Sequence, residues 1–434
     1  MAGTGDLIGF NVKRIRAARD LSQVELAKMA GMSRSGLQQI EKGAVTPNVS
    51  TLKQLAEALN VQLWDLVEES PKLIAVRFRS KKKMRTREDI LAKVASWLRD
   101  YNDLEDLIGE KQEYKLKDLE KQLQDVAPEK RPHEAAIMAR NALGLKDDEV
   151  VLDICGLLES AGIKMFPLDV NAEGFFGLVV APENGGPAIA VNCSKRLPVE
   201  RWIFTAAHEL GHLLLHRESF GADKDQEVQE QEDEANSFAG HFLMPDAAFA
   251  KQFRHAYGCD LLGAVFKLKR LFLVSYKTVL IRLQEMDIVN RSVWGRFNGQ
   301  YRRRYEKSLP YTHEPHALGP DSFALYREPV APKPEPSGLD AHDFVVNRQS
   351  ALVRKAIEQN QITISRAAEI LGIDLESARE WAASWRILDD GRGGDPTTER
   401  QVPAGRKRAA GLPKRGHDET LDPVRGNRRK AVRE

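Results

Sequence analysis

The stretch FTAAHELGHLLLH, residues 204–216, places a His-Glu-x-x-His pattern inside a run of apolar residues. His208 and His212 are four positions apart, so both imidazoles lie on one face of a helix. Two imidazoles one turn apart reach a single zinc ion, and Glu209 beside them reaches water bound to that ion. Histidines without partners in so apolar a helix would be costly to desolvate, and a metal removes that cost. The alternative is a helix of core histidines that are hydrogen-bonded to backbone. The pattern therefore predicts a buried zinc helix with Glu209 as general base.

A zinc site of this kind needs a third protein ligand and an open position. His216 shares the face but lies eight residues from the first histidine, about 12 Å along a helix, which excludes it as a ligand. The segment EDEANSFAGHFLMP, residues 232–245, offers Glu232 as the third ligand. Asn236, one turn later, would hydrogen-bond to a ligand histidine through the ring nitrogen that does not bind the metal. Glu234 is the rival for the third position.

A second motif lies near the N-terminus, in LSQVELAKMAGMSRSGLQQIEKG at residues 21–43. Ser22 and Ser33 each precede an apolar helical pattern and serve as N-caps. Gly31 lies between the two helices, where the turn requires a residue that tolerates a positive φ. This pattern resembles the phage-repressor or Xre type of helix-turn-helix domain over residues 6–69. The alternative interpretation is a helical domain with no role in DNA binding.

The resemblance to the Xre type implies double-stranded DNA as a partner, at an operator with paired half-sites. The second helix begins at Ser33 and enters the major groove, where Arg34 reads guanine. Gln23, which opens the preceding helix, touches phosphate. The predicted DNA-binding residues are Gln23, Ser33, Arg34, Ser35, Gln38, Gln39 and Lys42.

Composition bounds the remaining classes. The chain has 434 residues with 65 Lys and Arg against 63 Asp and Glu, so any nucleic-acid surface is local. Its 3 cysteines are odd in number and far apart, which argues against a disulfide framework. No apolar run approaches the ~18 residues of a membrane span, and there is no secretory signal pattern at the N-terminus. We therefore expect a cytoplasmic protein without membrane contact.

Periodicity along the chain predicts a multidomain, mainly α protein with a small β-sheet, of the α+β class. Apolar residues recur at helical spacing from Ile90 to Ile108, which predicts an amphipathic helix that either forms a homodimer or packs on its own chain. The basic run at residues 77–87 either touches phosphate or forms a solvated hinge. The predicted units are a helix-turn-helix domain at residues 1–72, a basic and amphipathic helical linker at 73–128, a zinc metallopeptidase domain at 129–293, an irregular linker at 294–345, a small helical unit at 346–388, and a basic disordered tail at 389–434.

The ordered set AIAVN, FTAAHELGHLLLH and EDEANSFAGHFLMP resembles the ImmA/IrrE family of zinc metallopeptidases, over roughly residues 130–290. The resemblance implies a gluzincin-like site of two histidines and a glutamate. It also implies limited cleavage of a regulatory protein, often a repressor. We further expect AIAVN, residues 188–192, to be an edge strand that aligns the substrate by strand addition. His241 is a weaker candidate for oxyanion stabilisation.

Two classes of function follow. In the first, the protein is a DNA-binding regulatory zinc endopeptidase that cuts a repressor-like partner. In the second, it is a helix-turn-helix transcription regulator, or an antitoxin-like repressor, whose metal domain senses or dimerises without turnover. Glu209 favours the first class, because a structural zinc site needs no base beside its ligand and usually has four protein ligands.

Overall fold

The computed structural model describes residues 4–19, 21–67, 73, 75–80, 86–172, 174–221, 228–309, 314 and 339–389. Its secondary structure is mainly helical with one four-stranded sheet, which confirms the predicted fold class. The chain divides into two compact units, Met1–Ala382 and Ala383–Glu434. The predicted basic tail, residues 389–434, lies outside the described residues except for its first residue.

Five helices form the N-terminal bundle around their own apolar core. Ser22 and Ser33 cap the second and third helices as predicted, each accepting a hydrogen bond from a backbone N–H three residues later. Gly31 has a φ of 65°, the left-handed conformation that the turn requires. The helices are α1 (Thr4–Ala18), α2 (Gln23–Met29), α3 (Arg34–Glu41), α4 (Val49–Ala58) and α5 (Trp64–Val67).

The sheet contains β1 (Val76–Ser80), β2 (Lys164–Leu168), β3 (Phe175–Val180) and β4 (Ala188–Asn192), in the spatial order β1-β3-β4-β2. β1 and β4 are antiparallel to β3, whereas β2 and β4 are parallel. The prediction that AIAVN is an edge strand is therefore wrong, because β4 pairs on both sides. Its five residues are all buried, as expected for a central strand. The edges of the sheet are β1 and β2.

Thirteen further helices are described. They are α6 (Arg87–Ile108), α7 (Leu119–Leu123), α8 (Arg131–Ala142), α9 (Ile154–Ser160), α10 (Val199–Leu215), α11 (Gln229–Leu243), α12 (Asp246–His255), α13 (Leu261–Phe272), α14 (Tyr276–Glu285), α15 (Val293–Tyr305), α16 (Arg348–Glu358), α17 (Ile364–Leu371) and α18 (Leu375–Asp389). None of the described helices is long and apolar enough to cross a membrane.

Side chains of the sheet alternate between two apolar cores, one on each face. Val179, Ile189 and Val191 point into the core that contains α10, whereas Leu178 and Val180 point into the core that contains α6. This period of two is the expected pattern of a strand whose two faces are both covered. Helices therefore cover both faces of the sheet; β2, β3 and β4 contribute to both cores, whereas the apolar residues of β1 contribute only to the core that contains α6.

Helix α6 resolves an alternative that the sequence left open. Its apolar residues, from Ile90 to Leu104, are buried in the chain's own core beside β1, α16 and α17. The apolar stripe therefore packs on its own protein. The segment interpreted as a linker, residues 73–128, thus contributes both an edge strand and a core helix to the unit that also contains the histidine helix.

The region predicted to be an irregular linker, residues 294–345, begins with a helix. α15 extends through Tyr305, and Phe297 and Tyr301 are buried in the main core. The prediction is wrong for residues 294–305, because the abundant arginines hid an apolar stripe at four-residue spacing. Residues 310–313 and 315–338 lie outside the described part of the chain.

Glu159 generates a testable prediction about stability. Its carboxylate accepts hydrogen bonds of 3.3 Å from the backbone N–H groups of Asn347 and Arg348, which open α16. Burial raises the pKa of Glu159 from 4.5 to about 7, so the folded chain binds this proton more tightly than the unfolded chain. This side chain therefore favours folding more as the pH falls from 7 towards 4.5.

We expect Glu159→Gln to remove that pH-dependent contribution, since glutamine does not titrate. The thermal midpoint of the variant minus that of the wild type is then highest near pH 8 and falls towards about pH 5. Thermal unfolding of both proteins across this range measures the difference. A difference that does not change with pH would contradict the prediction.

Candidate metal centre and nucleic-acid interface

Helix packing brings the side chains of the histidine motif against a carboxylate of α11. α10 lies between the sheet and α11, and His208 and His212 are 0% exposed. Glu232 lies in the first turn of α11 and is 4% exposed. Gly211 permits close approach of the two helices, because a Cβ there would lie 2.9 Å from the ring of Phe238.

Three ligand-type side chains meet at one point. Nε2 of His208 lies 2.9 Å from Nε2 of His212. The two carboxylate oxygens of Glu232 lie 3.2 Å from the His212 nitrogen and 3.4 Å from the His208 nitrogen. A tetrahedral zinc ion with bonds of about 2.0–2.1 Å separates its ligand atoms by roughly 3.3 Å. The two distances to the carboxylate are close to this value and the distance between the nitrogens is shorter, so the three residues form a group that could hold a metal ion.

Asn236 lies behind the first histidine, as expected from its position one turn after Glu232. Its Oδ1 is 3.0 Å from Nδ1 of His208. An amide oxygen only accepts, so the ring donates from Nδ1 and keeps its lone pair on Nε2. That lone pair points to the meeting point of the three side chains.

His216 and Glu234 lie behind the second histidine. Nε2 of His216 is 2.7 Å from Oε2 of Glu234, and its Nδ1 is 2.9 Å from Nδ1 of His212. The carboxylate accepts from His216, which in turn accepts from the Nδ1–H of His212. The proton of His212 is therefore on Nδ1, and its Nε2 carries the lone pair that faces the cluster. The two residues weighed as alternative ligands instead form a hydrogen-bonded chain that orients His212.

The electrostatics of the cluster favour a bound cation. Burial lowers the pKa of His212 well below its ordinary value, and burial also lowers the pKa of His216. Both rings are therefore neutral near pH 7. With His208 oriented by Asn236, two nitrogen lone pairs face one point across 2.9 Å and repel each other. A cation at that point, balanced by the Glu232 carboxylate, removes the repulsion.

Glu209 follows the first histidine on α10 and lies against β3 instead of α11. It is 0% exposed. A Cβ on Gly177 of β3 would lie only 3.0 Å from Oε1 of Glu209 and 2.7 Å from Cγ2 of Thr205. Glycine at this position in β3 leaves room for the carboxylate between the strand and the helix.

Arg77 is a site residue that the sequence analysis missed. It lies in β1 and is 9% exposed, and its Nη2 is 3.1 Å from Oε1 of Glu232. Its Nη1 donates to Oε1 of Gln231 at 2.7 Å. It belongs to the basic run at residues 77–87, of which 81–85 are outside the described residues. The alternation of AVRF around it was the available signal for a strand.

His241 does not join the histidine cluster. It lies nine residues after Glu232, roughly 13 Å along α11. Its Nδ1 is 2.9 Å from Nη2 of Arg282, and its ring lies across that of His133, with centroids 4.4 Å apart. Asp246 completes this group through contacts with His133 and Arg282. The arginine supplies the charge that Asp246 needs, so the group is an ion-pair network at the end of α11.

The proposed DNA-reading residues lie on the exposed side of α3. Ser33, Arg34, Ser35, Gln38, Gln39 and Lys42 are all exposed, whereas Leu37 and Ile40 fill the core. Gln23 is half-buried, and its amide donates to Oε2 of Glu41 at 2.7 Å. Glu41 also accepts two hydrogen bonds from Arg16. This network fixes α2 against α3, and it holds Gln23 beside the exposed helix.

Comparison with known proteins identifies two parts of the chain. Residues 158–284 match the peptidase family described as the IrrE N-terminal-like domain, and residues 12–63 match the helix-turn-helix family. These matches confirm both resemblances stated from the sequence. The first family is a metallopeptidase family, so the histidine cluster lies in a domain of that kind.

Several curated relatives match over a short segment of this chain. The immunity repressor protein of Bacillus phage phi105 is 44% identical over 62 residues, which cover 14% of this chain and 43% of the repressor. The chain thus spans less than half of that relative. The uncharacterized HTH-type transcriptional regulator y4dJ of Sinorhizobium fredii is 38% identical over 68 residues, 15% of this chain and 88% of the regulator.

The cryptic phage CTXphi transcriptional repressor RstR of Vibrio cholerae is 32% identical over 78 residues, covering 18% of this chain and 70% of the repressor. The chain therefore belongs to the helix-turn-helix family through residues 12–63, and its residues 158–284 match the IrrE N-terminal-like domain.

Proposed function

We propose that this protein is a DNA-binding regulatory zinc endopeptidase that makes a limited cut in a repressor-like partner protein. The observation that supports this most is the buried group of His208, His212 and Glu232 with Glu209 beside it. A structural zinc site would use a fourth protein ligand and has no need of a buried carboxylate next to its histidines. Here three ligands leave one position open for water.

The metal would be held by His208, His212 and Glu232, and Asn236 and His216 would fix the two rings. Zinc fits the two imidazoles and one carboxylate and the tetrahedral spacing of their atoms. When bound, it supplies a polarised water and stabilises charge at the scissile carbonyl.

Glu209 carries the proton transfers. Its carboxylate accepts the proton of the attacking water and then delivers it to the leaving amine nitrogen. The walls formed by β3 and α10 exclude bulk water around the carboxylate, which keeps this base in a defined position. We infer that selectivity comes from docking of one partner protein more than from a side-chain pocket.

The DNA-binding half localises this activity. Exposed residues of α3 would read an operator, with Arg34 donating to guanine and Gln23 close to phosphate. The repressors named among the relatives bear only on the first part of the chain, and they favour an operator as the target. The second candidate function is a helix-turn-helix regulator without turnover, which the names of these repressors also fit. Glu209→Gln separates the two functions.

Metal binding gives the first prediction of the proposal. His208→Ala, His212→Ala and Glu232→Ala each remove a ligand, so the purified variants lose the roughly one zinc per chain expected of the wild type. His216→Ala and Glu234→Ala remove only the groups behind His212, so they weaken zinc binding by about 10–100-fold without abolishing it. Metal analysis after titration with a chelator measures both effects.

Glu230, an exposed carboxylate in the same turn of α11, provides the matched control. Glu230→Ala should bind zinc like the wild type. If Glu234→Ala empties the site while Glu232→Ala retains zinc, the assignment of the third ligand is wrong.

The second prediction concerns catalysis. Glu209→Gln preserves the size of the side chain and removes its basicity, so zinc content, thermal midpoint and operator affinity stay unchanged. Cleavage of the partner repressor falls by at least about 10²–10⁴-fold, the usual contribution of a general base. Electrophoresis of the partner over time, with chelated enzyme as a control, gives the rate. Full complementation of a deletion strain by Glu209→Gln would favour the regulator without turnover.

The third prediction concerns DNA. Arg34→Ala in the full chain relaxes base preference at one operator position and weakens operator binding by about 1–3 kcal/mol. Lys53 is an exposed residue of α4, so Lys53→Ala serves as the control and should leave the base preference unchanged. Selection of sites from random duplexes, followed by titration at fixed salt, measures both. Equal binding of all sequences by the wild type would contradict the operator assignment.

A further inference from the structure

We propose that the outer edge of β3 is the binding site for an extended segment of the protein substrate, and that residues 76–80 of the same chain fill this edge in the resting protein. The inference rests on the proposed peptidase function. It concerns how the substrate binds beside the histidine cluster and how residues 76–80 block that binding. The ligand of this edge is a polypeptide strand, because the recognising groups are backbone donors and acceptors of β3.

The position of β3 beside Glu209 is the first observation. Gly177 of β3 faces α10, close to the Glu209 carboxylate. The inner side of β3 pairs with β4, so only its outer side accepts another extended chain. A polypeptide that adds there runs along the wall of the histidine cluster. In this structure β1 takes that place, with Arg77 paired to Val179 and Phe78 paired to Leu178.

The second observation is that Arg77 is a charged residue on a face of the sheet that is otherwise apolar. Other strand residues on this face, including Val179, Ile189 and Val191, are apolar and belong to the main core. Arg77 instead extends its guanidinium to Glu232 and Gln231. A substrate strand in the same register would present one side chain at this point, next to the metal ligands. The arginine therefore occupies the place that a substrate side chain would take.

Exchange of β1 for another strand preserves the backbone hydrogen bonds of β3. Each β3 donor and acceptor that β1 releases is taken by the incoming strand, so the exchange leaves no buried polar group unmatched. β1 is also short, and its register with β3 shifts between Phe78 and Ser80. Beyond the strand pairing, its described backbone hydrogen bonds are few: Ala181 donates to Ala75 at 3.0 Å, Ala75 donates to Oδ1 of Asn184 at 2.7 Å, and Gly221 donates to Val76 at 3.1 Å.

The resting contact also acts on the candidate metal ligand. Oε1 of Glu232 lies 3.1 Å from Arg77 and 3.2 Å from His212, so one oxygen serves both the guanidinium and the histidine cluster. The positive charge of Arg77 opposes a second positive charge at that oxygen. Departure of β1 therefore opens the edge of β3 and leaves the full Glu232 carboxylate to the cation.

A reversible cross-link between β1 and β3 tests the inference in the full chain. Val76 and Val180 are register partners. Because the Val76 carbonyl accepts from Gly221 instead of β3, this pair is of the close type, with Cα atoms about 4.5 Å apart, which a disulfide spans. We would introduce Val76→Cys and Val180→Cys together, with the exposed Cys259 changed to Ser. The single-cysteine variants control for the lost methyl groups.

Binding is read with a fluorescent peptide of the sequence LIAVRFRS, residues 73–80, on zinc-loaded protein that also carries Glu209→Gln. The reduced pair should bind the peptide, the oxidised pair should not, and reductant should restore binding. Arg77→Ala should bind the peptide more tightly than the parent. Arg366→Ala, which breaks a partly buried ion pair with Asp100 away from β3, is the arginine control and should not change binding.

Equal peptide binding by oxidised and reduced protein, or no binding by Arg77→Ala, would overturn the inference. Cleavage of the partner repressor by the same pair with Glu209 intact separates it from the proposed function. Cleavage that the disulfide leaves unchanged contradicts the inference alone. Peptide binding that responds to the disulfide, in a protein that never cleaves, contradicts the peptidase proposal alone and supports the binding edge.

Discussion

Burial of two histidines and two glutamates around one helix is the constraint on which the rest of this domain depends. Each polar group in such a core requires a partner, since an unsatisfied one costs about 1–3 kcal/mol or more. The partners come from α11: Glu232 for both rings, Asn236 for His208, and Glu234 through His216. Gly211 and Gly177 keep the neighbouring elements close enough for these contacts. The arrangement explains why α11 must lie directly against α10.

Residues on single helices were predictable from the sequence, because their geometry is local. Four-residue spacing placed His208 beside His212, and the same spacing placed Asn236 one turn after Glu232. The helical rise also excluded His216 as a ligand, although it could not reveal that His216 hydrogen-bonds to His212. That contact depends on how the helix end lies against α11. The caps at Ser22 and Ser33 were predictable for the same reason.

Contacts between distant segments were not predictable from local patterns. AIAVN has the composition of any buried strand, and only the pairing of β2 and β3 on its two sides shows that it is central. Arg77 lies 155 residues before Glu232, in a run whose neighbours are basic. Charge alone suggested a solvated or phosphate-binding segment. The register with β3 turns this arginine towards the histidine cluster and makes it part of the site.

Helix α6 contacts both the helix-turn-helix domain and the core that contains β1. Arg14 of α1 forms a partly buried ion pair of 2.8 Å with Asp89 in the first turn of α6, and α6 packs on the sheet face that receives Val76. A shift of α1 therefore acts on the helix that supports β1. If operator binding favours one state of β1, it changes the affinity of β3 for a bound strand. Linkage then requires that strand binding change the operator affinity by the same factor. Such coupling does not require a continuous chain of contacts between the two sites. It requires one element with two arrangements, and both ligands must shift the equilibrium between them.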